Sequence, residues 1–402
     1  MFITMTIEIQ WLTHAAVERP AEVFYMGQFN PASFINIDFL AMLYMLLFLI
    51  LSFPASYIID TYGIKAALRT GAAIAGLSAL LKALLAGSFA GVVIAQTGLA
   101  IAQPFILNAV TAVTVRWFPL GERGLAAGLS ALAQYIGIII AMLVTPLLVV
   151  SDPELSGYGT GFETMLWIFG VFTALSSVAV FILIREHPEG YSYSEEDARH
   201  AFGKGIRHIL GTRDMQLTMV LFLIGLGIFN AISSMTDSIS EHAGVKDSDG
   251  LIGGLMLIGG IIGAIVLPAL SDKYRRRKIF LVICLTGMVP GIFGLSFAGN
   301  LGLPAERTYD LLLISAFIIG FFVMSAGPIG FQYAAEVSYP APESASQGML
   351  LWVGQLSGMI FVALMSINDN QYLGLFMSLF AVLTVLALVC VLFLRESPMM
   401  KR

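Results

Sequence analysis

Near the start of the chain, Glu8, Gln10 and Trp11 stand inside an apolar run. The helical spacing i, i+3, i+7 puts Glu8, Trp11 and Ala15 on one face. A carboxylate beside an indole suits an organic cation, because the π face adds about 1–2 kcal/mol when water is kept away. Inserting an acid at membrane depth costs about 2.5 kcal/mol or more, so function is its default reading; packing or an interfacial position is the alternative for Trp11. Gln134 and Gln355 bring uncharged amides, which bond a hydroxyl, a carbonyl or each other, or serve as glue between helices. Asn230 and Asp237 share a face two turns apart and point to polar cargo, with Asp237 read as a proton site, a cation partner or a mouth residue. Together Trp11, Gln134, Asn230, Gln355 and Glu8 form the expected substrate site, and Glu8 and Asp237 the groups for proton or cation coupling.

Bond-breaking chemistry lacks its parts. Gly-Leu-Ser-Ala-Leu around Ser130 is no nucleophile elbow, since no strand precedes it and no His is paired with it. The glycines between Gly253 and Ala264 lack the Lys-Ser/Thr of a phosphate loop and read as helix-packing composition. His187, His200 and His208 have no metal spacing, and Cys284 and Cys390 lie far apart in apolar segments. The expectation is a protein without enzymatic activity, metal or cofactor, with a small-molecule substrate and the lipid bilayer as partners, no nucleic acid, and a monomeric state.

The elements that position these residues are membrane helices. With 58% hydrophobic and 12% charged residues, the chain sits far from the soluble average of about 25% charged. Runs such as Ile37–Ile59 and Gly91–Val115 exceed the roughly 20 apolar residues needed to cross a bilayer. Turn residues divide the chain into twelve expected spans, near 1–26, 33–59, 66–88, 91–115, 123–150, 162–184, 214–240, 248–271, 279–299, 309–335, 345–367 and 371–394. The first starts without a basic flank or a cleavage site, unlike a signal peptide, and reads as the latter part of a helix that begins upstream of Met1.

The chain is also written twice. Pro119, Glu122, Gln134 and Gly137 recur as Pro340, Glu343, Gln355 and Gly358 at an offset of 221, and Asp60–Lys65 recurs as Asp272–Arg277 at 212. The nine-residue difference is expected in a longer loop near Gly299–Tyr309. The expected organisation is therefore an all-α membrane fold: a six-helix half over 1–184, a linker over 185–213 and a second six-helix half over 214–402.

Alternate loops carry seventeen Lys and Arg on one side, against Arg19, Lys82, Lys246 and Arg307 on the other. The positive-inside rule then places both termini and the linker in the cytoplasm of a multi-pass cell-membrane protein. Within the linker, Ser194 reads as an N-cap before Glu195, Glu196 and Asp197, and Ile206, Ile209 and Leu210 as an apolar face on the membrane surface.

Two six-helix halves with an acidic-then-basic loop after the second helix of each resemble the major facilitator superfamily. Its loop pattern is matched at Asp60, Gly63 and Lys65, and at Asp272, Lys273, Arg276 and Arg277; Ser56 stands where the first copy would begin with Gly. The resemblance implies twelve helices in two pseudo-symmetric halves, alternating access, and a breakable electrostatic gate that includes Asp60, Lys65, Arg69, Asp272, Arg276, Arg277, Glu122 and Glu343. Ordinary loop charges serving topology are the alternative.

More narrowly, Phe53–Lys65, Ile37–Phe48 and Phe331–Leu350 look like the feline leukaemia virus subgroup C receptor-like transporters. Members carry choline and ethanolamine, with haem also proposed. The likeness implies a pocket with Trp11 and Gln134, and it departs from the family at Asn230, where an aromatic residue would stand. The implied function is transport of a small organic solute, choline-like or otherwise polar or cationic. A proton-coupled exporter or antiporter of drugs or metabolites and a non-transporting receptor are the alternatives.

Overall fold

The computed structural model describes residues 1–30, 35–151, 154–187, 202–245, 247, 250–365 and 371–401, without the side chains of residues 38, 237, 400 and 401. Among these residues the regular structure is helical. The helices are α1 (Phe2–Leu12), α2 (Glu18–Phe24), α3 (Ile37–Tyr62), α4 (Ile64–Leu84), α5 (Phe89–Leu107), α6 (Ala109–Trp117), α7 (Arg123–Leu148), α8 (Phe162–Leu183), α9 (Phe202–Gly211), α10 (Arg213–Ser234), α11 (Thr236–His242), α12 (Leu251–Tyr274), α13 (Arg277–Phe297), α14 (Ala305–Val337), α15 (Glu343–Met365) and α16 (Leu373–Leu392). Eleven spans are long and apolar enough to cross a membrane, with α5 and α6 joined as one. The α1–α2 segment, two helices of 11 and 7 residues, stands where the first span is expected.

That first span is broken, although the apolar run from Met1 predicts one helix to residue 26. Pro20 has no N–H to offer the Ala16 carbonyl, and its ring crowds that position. The chain therefore leaves α1 at Leu12, makes a 3-10 turn over Ala15–Val17 and restarts as α2. The extra length of the second repeat falls partly in the expected loop, 298–304 against 85–88, and partly in helix, since α14 begins at Ala305 and runs 33 residues against 29 for Phe89–Trp117.

Two compact units make up the chain, Met1–Arg116 with Ala133–Tyr193, and Trp117–Leu132 with Ser194–Arg402. In the first, α4 packs against α5 and α8, and α3 against α5. Small residues make this possible: Ala67, Ala72, Ala75 and Ala79 of α4 are all buried.

In the second unit α12 and α14 lie together over their length. A methyl group at Gly259 or Gly263 of α12 would overlap the Phe317 or Phe321 carbonyl of α14, and one at Gly320 of α14 would overlap the Met256 carbonyl of α12. The glycine-rich run is thus a backbone-to-backbone seam. Gly205 and Ile209 are buried as α9 packs against α10 and α15, and Gly205 leaves room for the Pro342 ring, while Leu210 is exposed. Ser194 and its acidic neighbours lie outside the described residues.

Candidate functional site

In the first unit, Glu8 of α1 is 3% exposed, and no hydrogen bond or ion pair to its carboxylate is found among the described residues. The packing of α1 on α7 explains its position. A side chain at Gly137 would overlap the Met5 carbonyl and stand 3.1 Å from the Glu8 Cβ, so only glycine admits α1 at this depth. One turn on, the half-buried Trp11 donates its indole N–H to the Ala41 carbonyl of α3 at 3.0 Å, which fixes the ring and leaves its faces for packing or a ligand. Tyr44 of α3 lies beside it, ring centroids 6.5 Å apart.

Tyr44 is buried, its hydroxyl has no hydrogen-bond partner among the described residues, and the Glu8 carboxylate is within electrostatic range of both Tyr44 and Tyr135. The Tyr135 phenol completes this acid-and-aromatic group from α7. Gln134, its sequence neighbour, is half-buried. Tyr44 and Tyr135 escaped the sequence reading. Tyr135 adjoins Gln134, and Tyr44 lies inside the run Ile37–Phe48, yet an aromatic in an apolar helix carries no mark that separates lining from core.

In the second unit, two expected site residues meet. The Asn230 amide of α10 donates to Gln355 Oε1 of α15 at 3.4 Å, and Gly358, one turn after Gln355, would place a Cβ 2.7 Å from that of Asn230. The repeat is thereby visible in packing: Gly137 faces Glu8 as Gly358 faces Asn230. Where the first unit carries a carboxylate, the second carries an amide satisfied by another amide. Asp237 belongs to the backbone of α11, and its side chain lies outside the described residues.

The expected gate residues divide in the same way. Arg277, fully buried, joins Asp272 at 2.5 Å and Glu336 at 3.1 Å. Asp272 also accepts the Leu125 N–H at 2.8 Å, capping the first turn of α7. Arg276 is exposed and contributes its carbonyl, which accepts from the Ser271 hydroxyl at 3.2 Å. Glu122 is exposed, and Glu343 is buried at the start of α15.

At the corresponding place in the first unit, Asp60, Lys65, Arg69, Arg116 and Glu186 line a cavity of about 510 Å³. Glu186 forms an ion pair with Arg116 and accepts the backbone N–H groups of Ile64 and Lys65 at 3.1 and 2.9 Å. Arg69 rests over the Phe181 ring at 5.0 Å. Glu186 has a twin: Glu396 accepts the N–H groups of Arg277 and Lys278 at 2.8 and 3.1 Å. Both carboxylates thus cap the first two amides of the third helix of their repeat. The signal was present as Arg185-Glu186-His187-Pro188 and Arg395-Glu396-Ser397-Pro398, identical at three of four positions at an offset of 210.

Lys82 also departs from its expected place. Rather than a loop cation, it is a buried residue of α4, 1% exposed, whose ammonium donates to the Gln10 carbonyl at 3.2 Å and to Gln10 Oε1 at 3.3 Å. Among the described residues, no group of three or more His, Cys, Asp and Glu is placed to hold a metal.

Eleven apolar spans with charged and amide groups buried among them define a helical membrane protein. The chain belongs to the Major Facilitator Superfamily, whose model matches residues 19–361 and 217–402. It is 26% identical to the human choline/ethanolamine transporter FLVCR2 over 95% of this chain and 74% of that one, and 27% identical to solute carrier family 49 member A3 of Xenopus tropicalis over 90% and 75%. Its fold is that of the proton:xylose symporter XylE, with a TM-score of 0.77, 14% identity, and coverage of 98% of this chain and 94% of the other.

Proposed function

We propose that the chain moves a small organic cation of the choline or ethanolamine class by alternating access, in which a site near the bilayer midplane opens to one side at a time. The observation that carries the substrate class is the Glu8 carboxylate, buried with no hydrogen-bond or ion-pair partner among the described residues and one turn before Trp11. A buried acid is tolerated when something positive completes it, and an ammonium does so while a neutral solute does not. The relatives named for choline and ethanolamine support the same class. Gln134, Asn230 and Gln355 supply amides for a hydroxyl group, although the pairing of Asn230 with Gln355 must open before either reaches cargo.

On this reading the protein transports its cargo unchanged, works as a monomer, and keeps both termini in the cytoplasm. The halves 1–184 and 214–402, joined by the linker 185–213, move about the site. Asp60, Lys65, Arg69, Asp272, Arg277 and Glu343 contribute to closing the cytoplasmic side, with Arg276 and Glu122 at its exposed edge. Glu8 and Asp237 are the places where proton coupling would act. A collapsed pH gradient that leaves uptake unchanged in the parent, in Glu8→Gln and in Asp237→Asn separates uniport from coupling.

The test is thermal unfolding of the purified protein with choline or ethanolamine, paired with uptake of the labelled solutes into proteoliposomes. Ligands of the native state raise its apparent stability. Choline or ethanolamine is expected to stabilise the parent, and Trp11→Ala and Glu8→Gln to lose most of that response. Stabilisation by neither solute, or by both equally in Glu8→Gln, would overturn the reading.

A further inference from the structure

The polar group around Lys82 lies apart from the carboxylate and aromatic residues just described. Helix α1 stops at Leu12, so its last carbonyls lack intrahelical partners. The Thr13 hydroxyl takes the Ile9 carbonyl at 2.5 Å. The Gln10 carbonyl receives two donors, the Lys82 ammonium at 3.2 Å and the Gln96 amide at 3.2 Å. The Gln96 amide also donates to the Leu40 carbonyl of α3, and the Gln10 amide donates to the Thr173 hydroxyl of α8 at 3.1 Å. Four helices thus converge on the end of a broken one, and every ligand of the ammonium is a neutral oxygen.

Charge balance is the unusual part. Among the described residues Lys82 makes no ion pair. The titratable neighbour on its α1 side is His14, buried with neither ring nitrogen partnered. From α3, α5 and α8 come the Leu40 carbonyl, Gln96 and Thr173, none of them charged. What faces the ammonium is the negative end of the α1 dipole together with the Gln10 side-chain oxygen. Gln96 Oε1, fully buried and without a partner, stands in the same cluster. Interrupted membrane helices use such an end, with its exposed carbonyls, to hold a monovalent cation.

We infer that the break in helix α1 is a monovalent-cation site whose resident occupant is the tethered ammonium of Lys82. The side chain supplies the charge that a dissolved ion would otherwise bring, so the native protein needs no alkali-metal ion to hold α1, α3, α5 and α8 together. Removing that charge leaves the two oxygens that hold it, Gln10 O and Gln10 Oε1, with the Gln96 amide beside them, open to sodium, potassium or lithium. This inference is independent of the transport reading, since its readout requires no cargo.

The experiment compares thermal unfolding of the purified full chain in sodium, potassium, lithium or N-methyl-D-glucamine chloride at one ionic strength. The parent and Lys82→Arg should be indifferent to the cation. Lys82→Met and Lys82→Gln should melt lower in N-methyl-D-glucamine and regain on the order of 3 °C, saturably, with at least one alkali ion. Failure of every alkali ion to stabilise either neutral variant would overturn the inference, as would saturable sodium stabilisation of the parent. Should the neutral variants fail to accumulate, the parent at alkaline pH decides: loss of the ammonium proton should bring on saturable stabilisation by an alkali ion, and continued indifference would overturn the inference.

Discussion

A buried hydroxyl with nothing to bond costs about 1–3 kcal/mol relative to one that is satisfied. Tyr44 carries such a hydroxyl beside Trp11. Tyr44→Phe is therefore expected to raise the melting temperature of the cargo-free protein while lowering uptake of a hydroxyl-bearing cation, as measured by unfolding and by proteoliposome uptake. Unchanged uptake would remove Tyr44 from the site. Arg277 is the opposite kind of residue, completely enclosed and bonded to Asp272 and Glu336. Arg277→Met strands two buried carboxylates and is expected to cost about 3–5 kcal/mol, read as loss of folded protein on size exclusion. The adjacent Arg276→Met, exposed, should leave folding nearly untouched.

Helix packing sets the tolerance of each glycine. Gly263 and Gly320 lie in the α12–α14 seam, where a side chain would meet backbone, whereas a side chain at Gly253 of α12 would meet nothing within 4 Å. Gly263→Val and Gly320→Val are expected to abolish accumulation in the membrane. Gly253→Ala should accumulate normally and gain about 0.5–1 kcal/mol from helix propensity, as judged by expression and unfolding. Much of this level was legible beforehand. Long apolar runs announced the spans, and Gly253–Ala264 was read as packing composition.

Local conflicts were harder to read. Pro20 signals a break, but a proline inside an apolar run is also common in continuous membrane helices, and the run alone suggested one span. Lys82 lies five residues before the polar turn at Gly87–Ser88, and its burial depends on Gln10, 72 residues away, which no local pattern encodes. Asn230 and Gln355 each stand out in the sequence as amides in apolar helices, while their mutual bond is a property of α10 against α15.

Across the whole molecule the sequence duplication extends further than its clearest motif. Each repeat ends in Arg-Glu-x-Pro, and each of those glutamates caps the start of the third helix of its own repeat. The two devices share no partner, so Glu186→Gln and Glu396→Gln should each cost about 1 kcal/mol, and their effects should add to within about 0.5 kcal/mol in chemical unfolding. Strong non-additivity would show that the caps belong to one network. Gly63 strengthens the first cap: its φ of +91° suits glycine, and a Cβ there would stand 2.7 Å from the Glu186 carboxylate.

Those caps join residues more than a hundred positions apart, 122 from Ile64 to Glu186 and 119 from Arg277 to Glu396. While the ribosome is still making the chain, the third helix of each repeat enters the bilayer with its leading amides open. It is closed only when the last few residues of that repeat leave the exit tunnel. Each half thus closes the start of its third helix with a residue from its own far end, and a chain cut short before either glutamate would leave those two amides uncapped.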